Sequence, residues 1–137
     1  MYQQGFRERR RALIDARICE LETGDGWKER ARYHYESRKG VVFPFVHWRA
    51  LPPELFRLAL ERIPGKQLAR VSERILDDPR SHRSGFPDLV VFPDSGGYRL
   101  VEVKGPGDAL QDNQKHWMQA FADWEIPATV VDVSWQS

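Results

Sequence analysis

Asp88, Glu102 and Lys104 are the residues of this 137-residue chain whose types and spacing suit chemistry. They fall in the segment GFPDLVVFPDSGGYRLVEVK, which runs from Gly85 to Lys104. An aspartate after a proline enters one apolar run, a short turn follows, and a second apolar run carries the glutamate and the lysine. In an extended strand, residues two apart face the same side. Leu100, Glu102 and Lys104 therefore share one face, and Arg99, Val101 and Val103 share the other. If the two runs pair as a hairpin, Asp88 comes near Glu102. Two carboxylates and an amine at one spot suit a hard divalent cation and the water it activates. The chemistry indicated is hydrolysis of a phosphodiester.

In this reading Asp88 and Glu102 supply oxygen ligands to Mg²⁺ or Mn²⁺, with the backbone carbonyl of Val103 as a further ligand. One ion or two fit equally well. Lys104 either orients the attacking water or stabilises charge developing on the phosphate. Taken singly, each residue has a plainer use: Asp88 as a turn cap after proline, Glu102 and Lys104 as solvated charges on an edge strand. The run LVEVK, however, is apolar enough for a central strand. There a carboxylate and an amine are costly unless paired or bound to metal. Gln114 follows on the next helix, in a row otherwise made of Leu110, Trp117, Met118 and Phe121. A polar group in such a row needs a partner, and Lys104 or the bound water would provide one.

Arg80, His82 and Arg83 precede the aspartate and, with Lys115, are candidate DNA contacts. His116 beside Lys115 suits either phosphate or solvent. Trp117, Trp124 and Trp135 read as core or edge packing rather than base-stacking platforms. His34 and His47 show no metal-site spacing. Cys19 is the only cysteine, which excludes an internal disulfide and cysteine-based zinc sites and fits a reducing compartment.

The elements that must position these groups follow from pattern. Residues 6 to 22 predict a helix with Ile14, Ile18 and Leu21 on one face, ended at Thr23-Gly24-Asp25-Gly26. Residues 27 to 37 predict a second helix, with Trp27, Ala31 and Tyr35 in one row. Val41 to Val46 is a buried connection or an irregular strand interrupted by Pro44. A helix from Pro52 or Pro53 carries Leu55, Leu58, Ala59 and Ile63 until Pro64-Gly65. Another carries Leu68, Val71 and Ile75 until Asp78-Pro79. Strands are expected at 88 to 92 and 98 to 104, then a helix capped by Asp108 and running to about Trp124, then a strand at 127 to 133. The order strand, strand, helix, strand indicates an α/β layer behind a helical front half. The division expected is residues 1–80 helical and 81–137 catalytic, in one domain.

Composition sets the outer bounds. Hydrophobic residues make up 41% and charged residues 30%, ordinary for a globular chain, and the formal net charge is +1. Overall charge thus does not announce nucleic acid; the clusters Arg7 to Arg17 and Lys28 to Lys39 read equally well as a solvated face of mixed charge, and Arg80 to Arg83 is more suggestive because it adjoins the candidate site. No apolar run approaches the roughly 20 residues that span a bilayer. No signal peptide is visible after MYQQGFRERRR, so the expected compartment is the cytoplasm, near the nucleoid in a bacterium, or the nucleus in a eukaryote.

With these residues in view, GFPDLVVF, LVEVKGPGDALQDNQKHW and PATVVDV resemble the VRR-NUC domain of the PD-(D/E)XK nuclease superfamily, and within it the C-terminal part of the Fanconi-associated nucleases. The resemblance implies a restriction-endonuclease-like mixed β-sheet flanked by helices. It matches Asp88 to the PD aspartate, Glu102 and Lys104 to the (D/E)XK acid and lysine, and Gln114 to the glutamine of the following helix. It implies a Mg²⁺- or Mn²⁺-dependent nuclease acting on flapped or branched DNA in repair. It also implies a further metal-binding glutamate on an upstream helix, for which Glu8, Glu20, Glu22 and Glu36 are candidates and Glu20 is preferred. The helical front half favours a monomer over a homodimer, and the chain is compatible with being part of a larger nuclease. Two alternatives stand beside this: a DNA-binding or assembly module with an incomplete site, and a structural domain with an internal ion pair.

Overall fold

The computed structural model describes residues 2–37, 52–78, 82 and 84–136, with the backbone alone for residues 2–9. The elements in order are α1 (Tyr2–Thr23), α2 (Gly26–Ser37), α3 (Pro53–Arg62), α4 (Gly65–Asp77), β1 (Leu89–Val91), β2 (Arg99–Lys104), α5 (Asp112–Asp123) and β3 (Ala128–Asp132). The chain divides into two compact units, Met1–Ser72 and Glu73–Ser137. The expected segment 41–46 lies outside the described residues.

The first unit is helical. α1 packs on α2, and the buried residues are Trp27, Tyr35, Leu60 and Ala69. The Tyr35 ring stacks on Phe56 at 4.1 Å. α3 opens with Pro53 at its first position, where a missing N–H costs nothing, and closes when Ile63 N–H donates to the Ala59 carbonyl. Gly65 then starts α4 where only glycine fits: a Cβ there would lie 2.3 Å from the Leu21 carbonyl oxygen and 2.7 Å from the Trp27 indole nitrogen.

The second unit is an α/β layer. Its three-stranded mixed sheet has the order β1-β2-β3. β1 and β2 are antiparallel, with Leu89 opposite Val101 and Val91 opposite Arg99. β2 and β3 are parallel, with Leu100 opposite Ala128 and Lys104 opposite Asp132. A parallel pair needs a crossover, and α5 supplies it. Trp117, Ala120 and Phe121 of α5 are buried together with Leu100, Val101 and Ile126. α5 ends in a Schellman turn: Ile126 N–H donates to the Phe121 carbonyl and Glu125 N–H to that of Ala122. Glu125 occupies the left-handed position at φ 58°, where glycine is usual.

The three predicted strands are present, and among the described residues before them the elements are helices. A first correction concerns α5, which is not capped by Asp108. Its N-cap is Gln111, while the Asp108 carboxylate accepts the Gly105 N–H at 3.1 Å and closes the Gly105–Asp108 turn. Leu110 therefore precedes the helix. Trp135 is a second correction, since it is 87% exposed rather than packed in the core. Among the described residues, no helix is long and apolar enough to cross a membrane.

Tyr98, immediately before β2, carries a pH signature. Burial pushes its phenol up to about 12, against about 10 in an unfolded chain. Between those values the unfolded chain has lost the proton and the folded chain keeps it. Stability should therefore be level below about pH 10 and fall between about pH 10 and 12, by at most about 1.4 kcal/mol per unit. Urea midpoints of wild type and Tyr98→Phe across that range test this. Equal alkaline slopes in both proteins would remove Tyr98 as the cause.

Candidate active site

β2 is the central strand, and its inward face carries Glu102, 4% exposed, and Lys104, 9% exposed. Burying two ions costs several kcal/mol each unless partners replace their water. The Lys104 ammonium is 3.5 Å from Glu102 Oε1, too long to be the main contact. The better partner to both is Gln114. Its Nε2 donates to Glu102 Oε1 at 2.8 Å, and its Oε1 accepts from Lys104 Nζ at 2.7 Å. The same Oε1 accepts the Gln111 N–H at 2.9 Å. An ammonium and a backbone N–H can only donate, so the orientation of the amide is set by its partners.

Gln114 reaches this position because it is the third residue of α5. It forms a capping box with Gln111, each side chain accepting from the other's backbone N–H. Sequence pattern placed Gln114 in an apolar row and asked for a partner; the structure provides two, and Lys104 is one of them.

Asp88 enters from the other side. Carrying the β1–β2 register one residue beyond Leu89 and Val101 sets Asp88 opposite Glu102. Directly opposed residues of antiparallel strands project to the same face. Asp88 Oδ2 accepts the Val103 N–H at 3.2 Å. The next position pairs Pro87 with Val103. Leu100 N–H donates to Pro127 and the Lys104 carbonyl accepts from Val133, so even-numbered residues of β2 turn their backbone toward β3. Odd-numbered ones turn toward β1. The Val103 carbonyl would thus look to residue 87 for a donor, and a proline has none.

These donors fit a hard divalent ion. Two carboxylates and a carbonyl left without a ladder partner are the oxygen set such an ion takes, with water completing its shell. Among the described residues, no group of three or more His, Cys, Asp or Glu side chains is placed to hold a metal.

The turn before Asp88 is pinned to α5. Trp117 Nε1–H donates to the carbonyls of His82 at 3.0 Å and Ser84 at 3.2 Å. Asn113 Nδ2–H donates to Ser84 Oγ at 3.1 Å. Phe86 meets Trp117 and Phe121 edge-on at 5.1 and 5.7 Å. Gly85 makes this close approach possible. Its φ is 84°, and a Cβ there would fall 2.9 Å from the backbone carbon of Asn113. Gly85→Ala is expected to cost at least about 1–2 kcal/mol from the left-handed backbone alone, and more from the clash. Because the same turn delivers Asp88, the placement of its carboxylate opposite Glu102 should loosen with it. A urea midpoint unchanged by the substitution would show that the turn tolerates a side chain.

The other candidates are placed as follows. Arg80 and Arg83 lie outside the described residues. His82 Nδ1–H donates to the Arg74 carbonyl at 2.5 Å and so completes the end of α4. Lys115 and His116 are exposed on α5. Glu20, Glu22 and Glu36 belong to the Met1–Ser72 unit, and the side chain of Glu8 lies outside the described residues. Glu20 is engaged by Arg17 at 2.9 Å and Arg30 at 3.2 Å. Partial loss of hydration opposes its ionisation, but the hydrogen bonds and charges of Arg30 and Arg17 outweigh that and hold the carboxyl below its usual range. Asn113, Ser84 and Arg74 were not singled out from sequence. Their roles depend on which backbone groups face them, which residue type does not disclose.

An acid and a lysine two apart on a central strand, met by an aspartate from the neighbouring antiparallel strand and a glutamine from the crossover helix, define the PD-(D/E)XK superfamily. Comparison with known proteins narrows the class. The VRR-NUC domain matches residues 25–135, and the chain belongs to that family. It is 42% identical over 136 residues to the Fanconi-associated nuclease 1 homolog of Pseudomonas aeruginosa, covering 98% of this chain and 24% of that protein. It is 42% identical over 76 residues to the homolog of Caenorhabditis elegans, covering 55% of this chain and 9% of the relative. A crystal structure of paFAN1 bound to 5′-flap DNA with a 2-nucleotide flap and a gap superposes with a TM-score of 0.83 at 43% identity, over 96% of this chain and 24% of that one. The chain thus spans about a quarter of the length of the relative that it matches over nearly all of its own residues.

Proposed function

We propose that this chain is the catalytic module of a structure-selective DNA nuclease that hydrolyses phosphodiester bonds in flapped or branched DNA during repair, with Mg²⁺ or Mn²⁺ as cofactor. The observation that carries this reading is the buried Glu102–Gln114–Lys104 chain with Asp88 set opposite Glu102 by strand register. Family membership and the likeness to a flap-bound structure support DNA as the partner. Residues 1–137 would form one VRR-NUC domain, since the family match crosses both compact units.

Asp88, Glu102 and the Val103 carbonyl would hold the ion, which when bound supplies Lewis-acid stabilisation of phosphate charge and a water of lowered pKa. The chain's own residues do the rest. Gln114 fixes Lys104 Nζ beside Glu102, so that the ammonium is preorganised toward an incoming phosphate or its attacking water. Burial keeps bulk water from weakening that charge. Pro87 leaves the Val103 carbonyl available.

The test is incubation of the chain with a 5′-flap duplex in Mn²⁺, Mg²⁺ or Ca²⁺. Cleavage in Mn²⁺ or Mg²⁺, and thermal stabilisation that grows with metal concentration, are expected. A second reading, a DNA-binding module with an incomplete site, is favoured by the lack of a three-carboxylate cluster among the described residues. It anticipates flap binding in Ca²⁺ and intact DNA in every metal.

A further inference from the structure

Arg74 lies in the last turn of α4 within the Glu73–Ser137 unit. Its guanidinium lies 5.0 Å from the centroid of the Trp117 ring. Trp117 is 1% exposed, and its indole N–H is committed to the His82 and Ser84 carbonyls, so the platform is fixed. Arg74 Nε is buried and, among the described residues, has no hydrogen-bond partner. Among the described residues, no carboxylate forms an ion pair with this guanidinium. Trp117 follows Gln114 by three positions, on the same face of α5 and about 4.5 Å further along the axis. A permanently charged fork is therefore held one helical turn from the residue that joins Glu102 to Lys104.

A half-buried cation with no counter-ion among the described residues is unfavourable, and the aromatic face offsets only part of that cost. A methionine would cover the ring without that cost. The charge has a use if an anion arrives, and a guanidinium is suited to phosphate oxygens in a way that a lysine is not. With Nε turned inward, the donors left for such an anion are those of the terminal Nη pair. We propose that Arg74, stacked on Trp117, binds a backbone phosphate of the DNA strand held at the Glu102–Lys104 site. This rests on the nuclease reading above and extends it to a substrate contact.

The experiment measures binding of the whole chain to a fluorescent 5′-flap duplex in Ca²⁺, between about 50 and 200 mM salt. Arg74→Gln is expected to weaken binding several-fold and to reduce the slope of log K against log salt by about 1. Arg74→Met, which keeps the stem on the ring, should do the same. Arg74→Lys should keep the slope and recover only part of the affinity. The shift should be equal on flaps ending in 5′-hydroxyl and 5′-phosphate; an effect confined to the latter overturns the assignment to a backbone phosphate. Loss of thermal stability with an unchanged salt slope, or unfolding of both charge-deleting variants, would make Arg74 a structural residue and overturn the proposal. Cleavage by wild type alongside an unchanged slope in Arg74→Gln would sink this contact alone. A wild type that neither binds nor cuts would sink the nuclease reading with it.

Discussion

Lys104→Ala is expected to lower the single-turnover rate of flap cleavage in Mn²⁺ by a factor of about 100–1000. Affinity for the same DNA in Ca²⁺ should change far less. The ammonium is buried beside Glu102 and held by the Gln114 amide, so its position is settled before substrate arrives. Groups held in this way act on charge that develops during reaction, and their loss appears in rate rather than in binding. Lys104→Arg should not rescue, because a planar fork cannot take the place of a compact ammonium at 2.7 Å from Gln114 Oε1. A Lys104→Ala protein that cuts within a few-fold of wild type would remove this residue from the chemistry and leave it as a structural ion.

Gln114→Leu should have the largest effect on folding and on activity together. The substitution strips a donor from buried Glu102 and an acceptor from buried Lys104. It also removes half of the capping box of α5. Leaving buried ionic groups short of partners costs about 1–3 kcal/mol per group, and the lost cap adds about 1 kcal/mol. A total on the order of 3–7 kcal/mol is a large part of the stability of a small domain. Urea unfolding gives the stability and the flap assay gives the rate. If the variant unfolded at the wild-type midpoint, the bridging amide would be incidental to the buried pair.

How far the site was legible depended on the range of the signal. The two-residue period of LVEVK placed Glu102 and Lys104 on one face, and β2 is the central strand that its apolar character required. The facing of Asp88 and Glu102 followed from the short turn between the strands. The partnership of Gln114 was anticipated because a lone amide among apolar neighbours needs somewhere to bond. The start of α5 was misplaced because aspartate is a strong cap and glutamine a weak one. Here the Gly105–Asp108 turn consumes the aspartate, and the capping box makes Gln111 sufficient. Trp135 was expected to pack as tryptophans usually do, but β3 ends at Asp132. Arg74 and the indole bonds of Trp117 could not be seen in advance. They join α4, the turn before Asp88 and α5, segments brought together only by folding.

The capping box has one further consequence. The amide that closes the opening turn of α5 is the amide that couples the two buried ions, so the helix start behaves as a latch. Whenever those first residues fray, the lysine is released from its catch and the site is momentarily disarmed. On the nuclease reading proposed above, exchange of the Gln111 N–H with deuterated solvent would read out how often that latch opens, and anything that steadies the turn would keep Lys104 seated more of the time.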